Sequence, residues 1–177
     1  MGIPSKAAIK HYAETIGFTV GSDSREDFSN WFGCPKLGNG LFSAAYDTGF
    51  DYVVRVCLTN KSRVAEYKSE DGYEWYLENV IKNARFAHNT HVPKIKESFT
   101  VNSKDGKEYL VVIMEKLVPQ RKEWKTNRSD LEKTSADMKA LVSYIASHAP
   151  YHFDLHQGNT MKRGRTYVLT DPLSWRK

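Results

Sequence analysis

Apolar residues recur along this chain in two rhythms, and their order predicts an architecture. In residues 5–17, Ile9, Tyr12 and Ile16 fall at helical spacing, and Ser24 with Asp27 opens a second helical stretch carrying Phe28, Trp31 and Phe32. Both read as packing elements. Short β-branched and apolar runs at 34–39, 41–47 and 51–58 then read as three strands, with Asn39-Gly40 serving both as a hairpin turn and as part of a glycine-rich loop. The charged stretch LTNKSRVAEYKSEDG reads as a mobile connection. Over 73–86, Tyr73, Leu77, Val80, Ile81 and Ala84 repeat as one face of a helix. Two more strands, 93–100 and 108–114, flank the turn SKDGK. Ser129 and Glu132 form a capping box for a helix carrying Leu131, Met138, Leu141, Val142 and Ile145, which Pro150 ends. A polar loop, a strand and a closing Asp complete the order. No repeat or low-complexity segment interrupts it.

Composition narrows this picture. At 177 residues the chain forms one domain or two small lobes, and a chain of this size buries roughly two thirds of its unfolded surface. Apolar residues make up 40% and both charge signs are dispersed, which describes a globular protein with a real core. No apolar run approaches a membrane span, and the N-terminus lacks the apolar stretch of a secretory signal. Cys34 and Cys57 are too few for a disulfide scaffold and point to a reducing cytoplasm. The net charge of +5 gathers in Lys116, Arg121, Lys122, Lys125 and Arg128, and again in Lys162, Arg163, Arg165, Arg176 and Lys177. Such clusters attract polyanions or acidic protein surfaces, and Trp124 within the first could stack on a base. The bland reading is a solvated loop beside a nucleotide site, and nucleic acid is not expected as the direct ligand.

The candidate chemistry lies near the end, in HFDLHQGNTM followed by YVLTDPLS. An Asp and an Asn in D-x-x-x-x-N spacing (Asp154, Asn159), then a strand ending in Asp171, is the set that phosphoryl transfer uses for a base and two metal ligands. A lone D-x-x-x-x-N is also an ordinary polar turn. Its weight comes from KLGNGLFSAAYDTGFDYVVRVCL upstream, where Gly38 and Gly40 let backbone approach a phosphate and Arg55 places a cation inside an apolar strand. Hard oxygens from Asn159 and Asp171 suit magnesium. His152 and His156 share the spacing of a zinc pair, but Phe153 stands where a hydrolytic zinc helix has Glu, and Pro150 with Gly158 argues against a helix. His88 and His91 read as a helix end and a turn.

The segments LGNGLFSAAY, HFDLHQGNTM and TDPLS together resemble the glycine loop, catalytic loop and metal-binding segment of the early serine/threonine protein kinases of podophages, which shut off host transcription. Aminoglycoside and choline-type kinases are similar too, with His156 and Pro172 as shared features. The resemblance implies an α+β, protein-kinase-like fold, with a five-stranded antiparallel small lobe bearing one helix and a minimal, mostly helical large lobe. Its expected bounds are a helical extension over 1–30, the small lobe over 31–117 and the truncated large lobe over 118–177.

By the same resemblance, ATP and Mg2+ are the cofactors. Gly38, Asn39, Gly40 and Ser43 cover the phosphates, Arg55 stands for the usual lysine, and Glu74 is its helix carboxylate, with Glu70 and Glu78 as competitors. Glu115 and Leu117 bound the hinge that holds adenine. Asp154 is the base, Asn159 and Asp171 hold the metal, and His152 opens the loop. The implied partners are host proteins such as RNA polymerase or RNA-processing enzymes, in the host bacterial cytoplasm. Three departures shape the expectation. Arg55 is a planar fork rather than a point charge, Phe153 replaces an arginine, and only six residues follow Asp171. The expected protein is therefore a minimal kinase or, alternatively, a nucleotide-binding pseudokinase that inhibits a host protein by binding.

Overall fold

The computed structural model describes residues 2–20 and 27–176; Ser24, Lys177 and the start of the second helical stretch lie outside them. Two compact units emerge, each assembled from two stretches of chain. The first comprises residues up to Lys68 together with Ile95–Lys116, and the second Ser69–Lys94 with Leu117 onward. Together they give an α+β architecture.

The first unit is built, as expected, on a five-stranded antiparallel sheet; its order is β1-β2-β3-β5-β4. Its strands are β1 (Lys36–Gly40), β2 (Ser43–Asp47), β3 (Tyr52–Leu58), β4 (Ile95–Asn102) and β5 (Glu108–Glu115). Alternation decides the faces. Ala44, Tyr46, Val54, Val56, Phe99, Val101, Tyr109, Val111 and Ile113 form one apolar face. Onto it fold α1 (Lys6–Thr15) and α2 (Asp27–Phe32) through an aromatic knot. Tyr12 meets Phe18 at 5.4 Å and Phe28 at 5.3 Å, and Phe28 meets Tyr46 at 4.4 Å. Each such pair contributes about 1 kcal/mol beyond its buried area. Within the stretch expected as an extension, Ile9, Tyr12, Ala13, Phe18 and Phe28 supply part of the core of this unit.

Two local expectations are corrected here. The β1–β2 turn is at Leu41 and Phe42, with Gly40 opposite Ser43, so Asn39-Gly40 ends a strand rather than turning the hairpin. The charged connection after β3 is not a mobile coil but helix α3 (Asn60–Tyr67), capped by Thr59 Oγ1, which accepts from Ser62 N–H. Few apolar residues announce it, because it is held by other means. Ser62 Oγ accepts from Glu108 N–H at 2.8 Å, and the buried Arg63 guanidinium lies 4.2 Å from the Phe42 ring centroid.

In the second unit the predicted helix over 73–86 is three pieces. They are α4 (Tyr73–Tyr76), a π-turn (Leu77–Ile81) and a 3₁₀ turn (Ala84–Phe86). Asparagines cause the break: Asn79 donates to Trp75 O at 2.9 Å and Asn83 to Asn79 O at 3.0 Å, competing with the regular ladder. The helix expected after Ser129 is likewise two, α5 (Arg128–Glu132) and α6 (Ala136–His148), each with its own cap, Asn127 and Ser135. Two small hairpin-like sheets complete the unit, pairing β6 (Tyr151–Phe153) with β9 (Leu173–Arg176) and β7 (Thr160–Arg163) with β8 (Thr166–Leu169). Residues 69–94, expected with the small lobe, belong to this second core, where Tyr76, Val80 and Phe86 pack with Leu141, Ile145, Leu169 and Leu173. Gly72 lies where backbone meets core: a Cβ there would come 2.3 Å from Leu173 Cβ. Among the described residues no helix is long and apolar enough to cross a membrane, and both cysteines are free and buried.

Candidate active site

The pairing of β6 with β9 fixes where the polar loop begins and ends. Asp154, just past β6, donates its N–H to Pro172 O at 2.8 Å. The loop then closes on itself: His156 O accepts from Asn159 N–H (3.0 Å) and Thr160 N–H (2.9 Å). This return puts the Asn159 side chain against Asp154, with Nδ2 donating to Asp154 O at 3.0 Å and to Oδ2 at 3.2 Å. The backbone of Asn159 also reaches the third residue of the set. Its carbonyl accepts from Thr170 N–H at 2.8 Å and Asp171 N–H at 3.4 Å, while Thr170 Oγ1 donates to Gly158 O at 3.2 Å. Asp154, Asn159 and Asp171 are therefore tied together through Asn159.

Neighbouring groups orient the carboxylates. His156 Nδ1 accepts from Gly158 N–H at 3.0 Å, so the ring proton is on Nε2, which faces Asp154 Oδ2 at 3.7 Å. Asp154 itself stays half in solvent, its side chain 45% exposed. Asp171 Oδ1, by contrast, is buried. Beneath it the Tyr76 hydroxyl donates to Leu169 O at 2.7 Å and is held well above the ordinary tyrosine range, first by burial, then by Tyr73 and the Asp171 carboxylate. The residues present fit a magnesium ion. Asn159 spends its amide N–H on Asp154 and keeps a carbonyl oxygen, Asp171 brings a carboxylate, and one or two protein oxygens are what Mg2+ takes when phosphates and water fill its shell. Among the described residues no cluster of three His, Cys, Asp or Glu offers a competing site.

The upstream residues lie in the first unit, and the register puts them on one face of its sheet. Gly38, Ala45, Arg55 and Val112 are directly opposite one another across β1, β2, β3 and β5, as are Gly40, Ser43, Cys57 and Leu110. This face is the reverse of the one covered by α1 and α2. A Cβ at Gly38 would meet nothing within 4 Å, whereas one at Gly40 would come 2.9 Å from Ser43 Oγ. Arg55 is half-buried and its Nε donates to Cys57 Sγ at 3.2 Å, which holds the guanidinium along the sheet. Asn39 pairs with Ala44 and so belongs to the opposite face.

Glu115 ends β5 opposite Tyr52. Beyond it, Lys116 N–H is taken by Asp51 O and Val118 N–H by Lys162 O, with half-buried Leu117 between. Leu117 and Glu74 fall in the second unit, Glu115 and Arg55 in the first. Of the competing carboxylates, Glu70 is engaged with Arg176 and the Tyr151 hydroxyl, each at 3.5 Å, and Glu78 with Lys82 at 2.6 Å. His152, in β6, is exposed and lies 6.0 Å from the Trp175 ring.

Sequence reasoning missed His91. It is buried; its Nδ1 donates to Tyr167 O at 2.7 Å, its Nε2 accepts from Ser135 Oγ at 2.6 Å, and its carbonyl accepts from Leu169 N–H. It thereby pins β8, the strand that delivers Asp171, to the N-cap of α6. The only signal was the N-x-H of Asn89-Thr90-His91 ahead of Val92-Pro93, which also describes any turn.

No protein-family model matches the chain, and no curated protein matches it. Among solved structures it is similar to two crystal structures of the PknI kinase domain of Mycobacterium tuberculosis, a single and a double mutant. Both have 14% identity and a TM-score of 0.43 over 77% of this chain. The chain spans 56% and 55% of those two domains.

Proposed function

We propose that this chain is a protein-kinase-like enzyme that transfers the γ-phosphate of ATP to serine or threonine hydroxyls of proteins. The observation that carries the reading is the Asp154–Asn159–Asp171 clamp, in which one asparagine orients a solvent-facing carboxylate and tethers a buried one. Asp154 receives the hydroxyl proton as the substrate oxygen bonds to phosphorus and the bond to ADP breaks. Asn159 and Asp171 hold magnesium, which when bound neutralises charge on the phosphates. The open space at Gly38 and the missing Cβ at Gly40 let backbone approach the phosphates, Arg55 supplies a cation on that face, and Glu74 is its proposed carboxylate partner. Backbone between Glu115 and Leu117 holds adenine. The motif resemblance extends the proposal to a phage-type enzyme acting on host transcription or RNA-processing proteins.

With magnesium and labelled ATP, the protein should label itself or proteins of a bacterial lysate, and Asp154→Asn should lower labelling by roughly a hundredfold or more. Labelling that survives both Asp154→Asn and Asp171→Asn would refute this chemistry. A thermal shift with Mg-ATP in the absence of any labelling would instead select the pseudokinase.

A further inference from the structure

A cleft of about 450 Å³ in the second unit is lined by Gln120, Arg121, Glu123, Trp124, Lys162 and Tyr167. None of these residues belongs to the proposed transfer machinery, yet the strap that carries four of them is stitched to the loop of Asp154. Val118 and Lys162 exchange backbone hydrogen bonds at 3.0 and 2.8 Å, Gln120 N–H donates to Gln157 O at 3.4 Å, and Lys125 bridges to His156. A turn closed by Trp124 N–H on Arg121 O, 2.9 Å, brings Arg121 and Trp124 to the same side.

The donor set indicates the ligand. Gln120 lines the cleft with an amide side chain. Arg121 and Lys162 add two cationic donors to the same cleft, so what fits is an oxygen-rich anion. A polynucleotide fits poorly, because stacking needs free ring faces and an unbroken run of cations. Here Trp124 and Tyr167 pack on each other at 5.7 Å, Lys162 Nζ covers the Tyr167 ring at 5.3 Å, and the lining brings two cations, Arg121 and Lys162, which suits a short acidic segment rather than a polynucleotide backbone.

We propose that this cleft docks a carboxylate-rich segment of the protein substrate, so that the enzyme prefers hydroxyls flanked by Asp and Glu. The inference rests on the protein-phosphorylation reading above, and its binding step can be measured without it. A serine peptide rich in Asp and Glu, titrated without ATP at low salt, should give a saturable change in tryptophan fluorescence that Trp124→Phe removes. The Asn/Gln counterpart of the peptide should give none. The double variant Arg121→Gln, Lys162→Gln should bind the acidic peptide about tenfold more weakly, while Lys162→Arg, which keeps the charge, should bind it nearly as well. In the transfer assay the double variant should raise KM for the acidic peptide by a similar factor and leave kcat unchanged.

Equal binding of the neutral peptide, tighter binding of a single-stranded RNA of similar length, or an unchanged KM in the double variant would each overturn the docking proposal while leaving phosphoryl transfer standing. Charge-dependent peptide binding without any labelling would instead remove the transfer reading and retain the docking site.

Discussion

The two units present their functional residues by opposite means. In the first, Gly38, Ala45 and Arg55 are aligned by an antiparallel ladder, and the pairing from Gly38 onward fixes the face they occupy. In the second, Asp154, Asn159 and Asp171 are placed by individual side-chain hydrogen bonds: one asparagine, one threonine and two histidines, each with a specific partner. A ladder distributes positional information over many equivalent bonds, whereas a clamp concentrates it in a few. Single substitutions should therefore be tolerated in the first unit and felt sharply in the second.

The strongest challenge to this contrast is Gly72→Val. With Leu173 Cβ 2.3 Å from any added Cβ and Tyr151 at 3.1 Å, β9 must move, and a loss of about 3 kcal/mol is expected in denaturant titration. An unchanged midpoint would mean the second unit yields more easily than its packing implies. Next is His91→Ala, which strands Tyr167 O and the Ser135 hydroxyl. It should cost about 2 kcal/mol and lower Mg-ATP affinity by freeing β8. Loss of stability with unimpaired nucleotide binding would separate the pin from the site.

In the first unit the expected effects shrink. Asp47 is held below the ordinary carboxylate range, mainly by its hydrogen bond from Lys116 and then by that from Gly49 N–H. A carboxyl group lowered in the folded state stabilises above its unfolded value and loses that contribution as pH falls through the folded one. Lys116→Met should therefore cost less than about 1 kcal/mol at neutral pH and flatten the decline of Tm below about pH 4. The smallest effect on folding is expected from Gly38→Ala, within about 0.5 kcal/mol, because its Cβ would enter open space. The same substitution should reduce the thermal shift produced by Mg-ATP, and an undiminished shift would remove Gly38 from the nucleotide face.

What was legible in the sequence follows the same division. The strands could be read because short apolar and β-branched runs, such as Tyr52–Leu58 and Tyr109–Met114, are bounded by turn residues, and that signal is local in sequence. The Asp154, Asn159 and Asp171 set could be read because its spacing is itself chemical. The Asn39-Gly40 turn misled, since the dipeptide favours a turn while the β1–β2 pairing runs through it to Gly40 and Ser43. The helix over 73–86 misled because spacing reports which face is apolar but not whether Asn79 and Asn83 will divert backbone carbonyls. Helix α3 was illegible because a cation on an aromatic ring and a serine on a strand edge leave no hydrophobic period. His91 and the cleft around Trp124 were illegible because their partners are remote in sequence.

The order of strands in the first sheet bears on how the chain is made. β5 lies between β3 and β4 yet is translated last of the five. Until it emerges from the ribosome, β3 and β4 each expose a row of unpaired amides and carbonyls, and the apolar side chains of β3 lack their partner strand. At typical rates of about 5–20 residues per second, the interval from β3 to β5 lasts several seconds. A nascent chain in that state is a template for pairing with its neighbours, so the demand for chaperones during synthesis should peak between the third strand and the fifth.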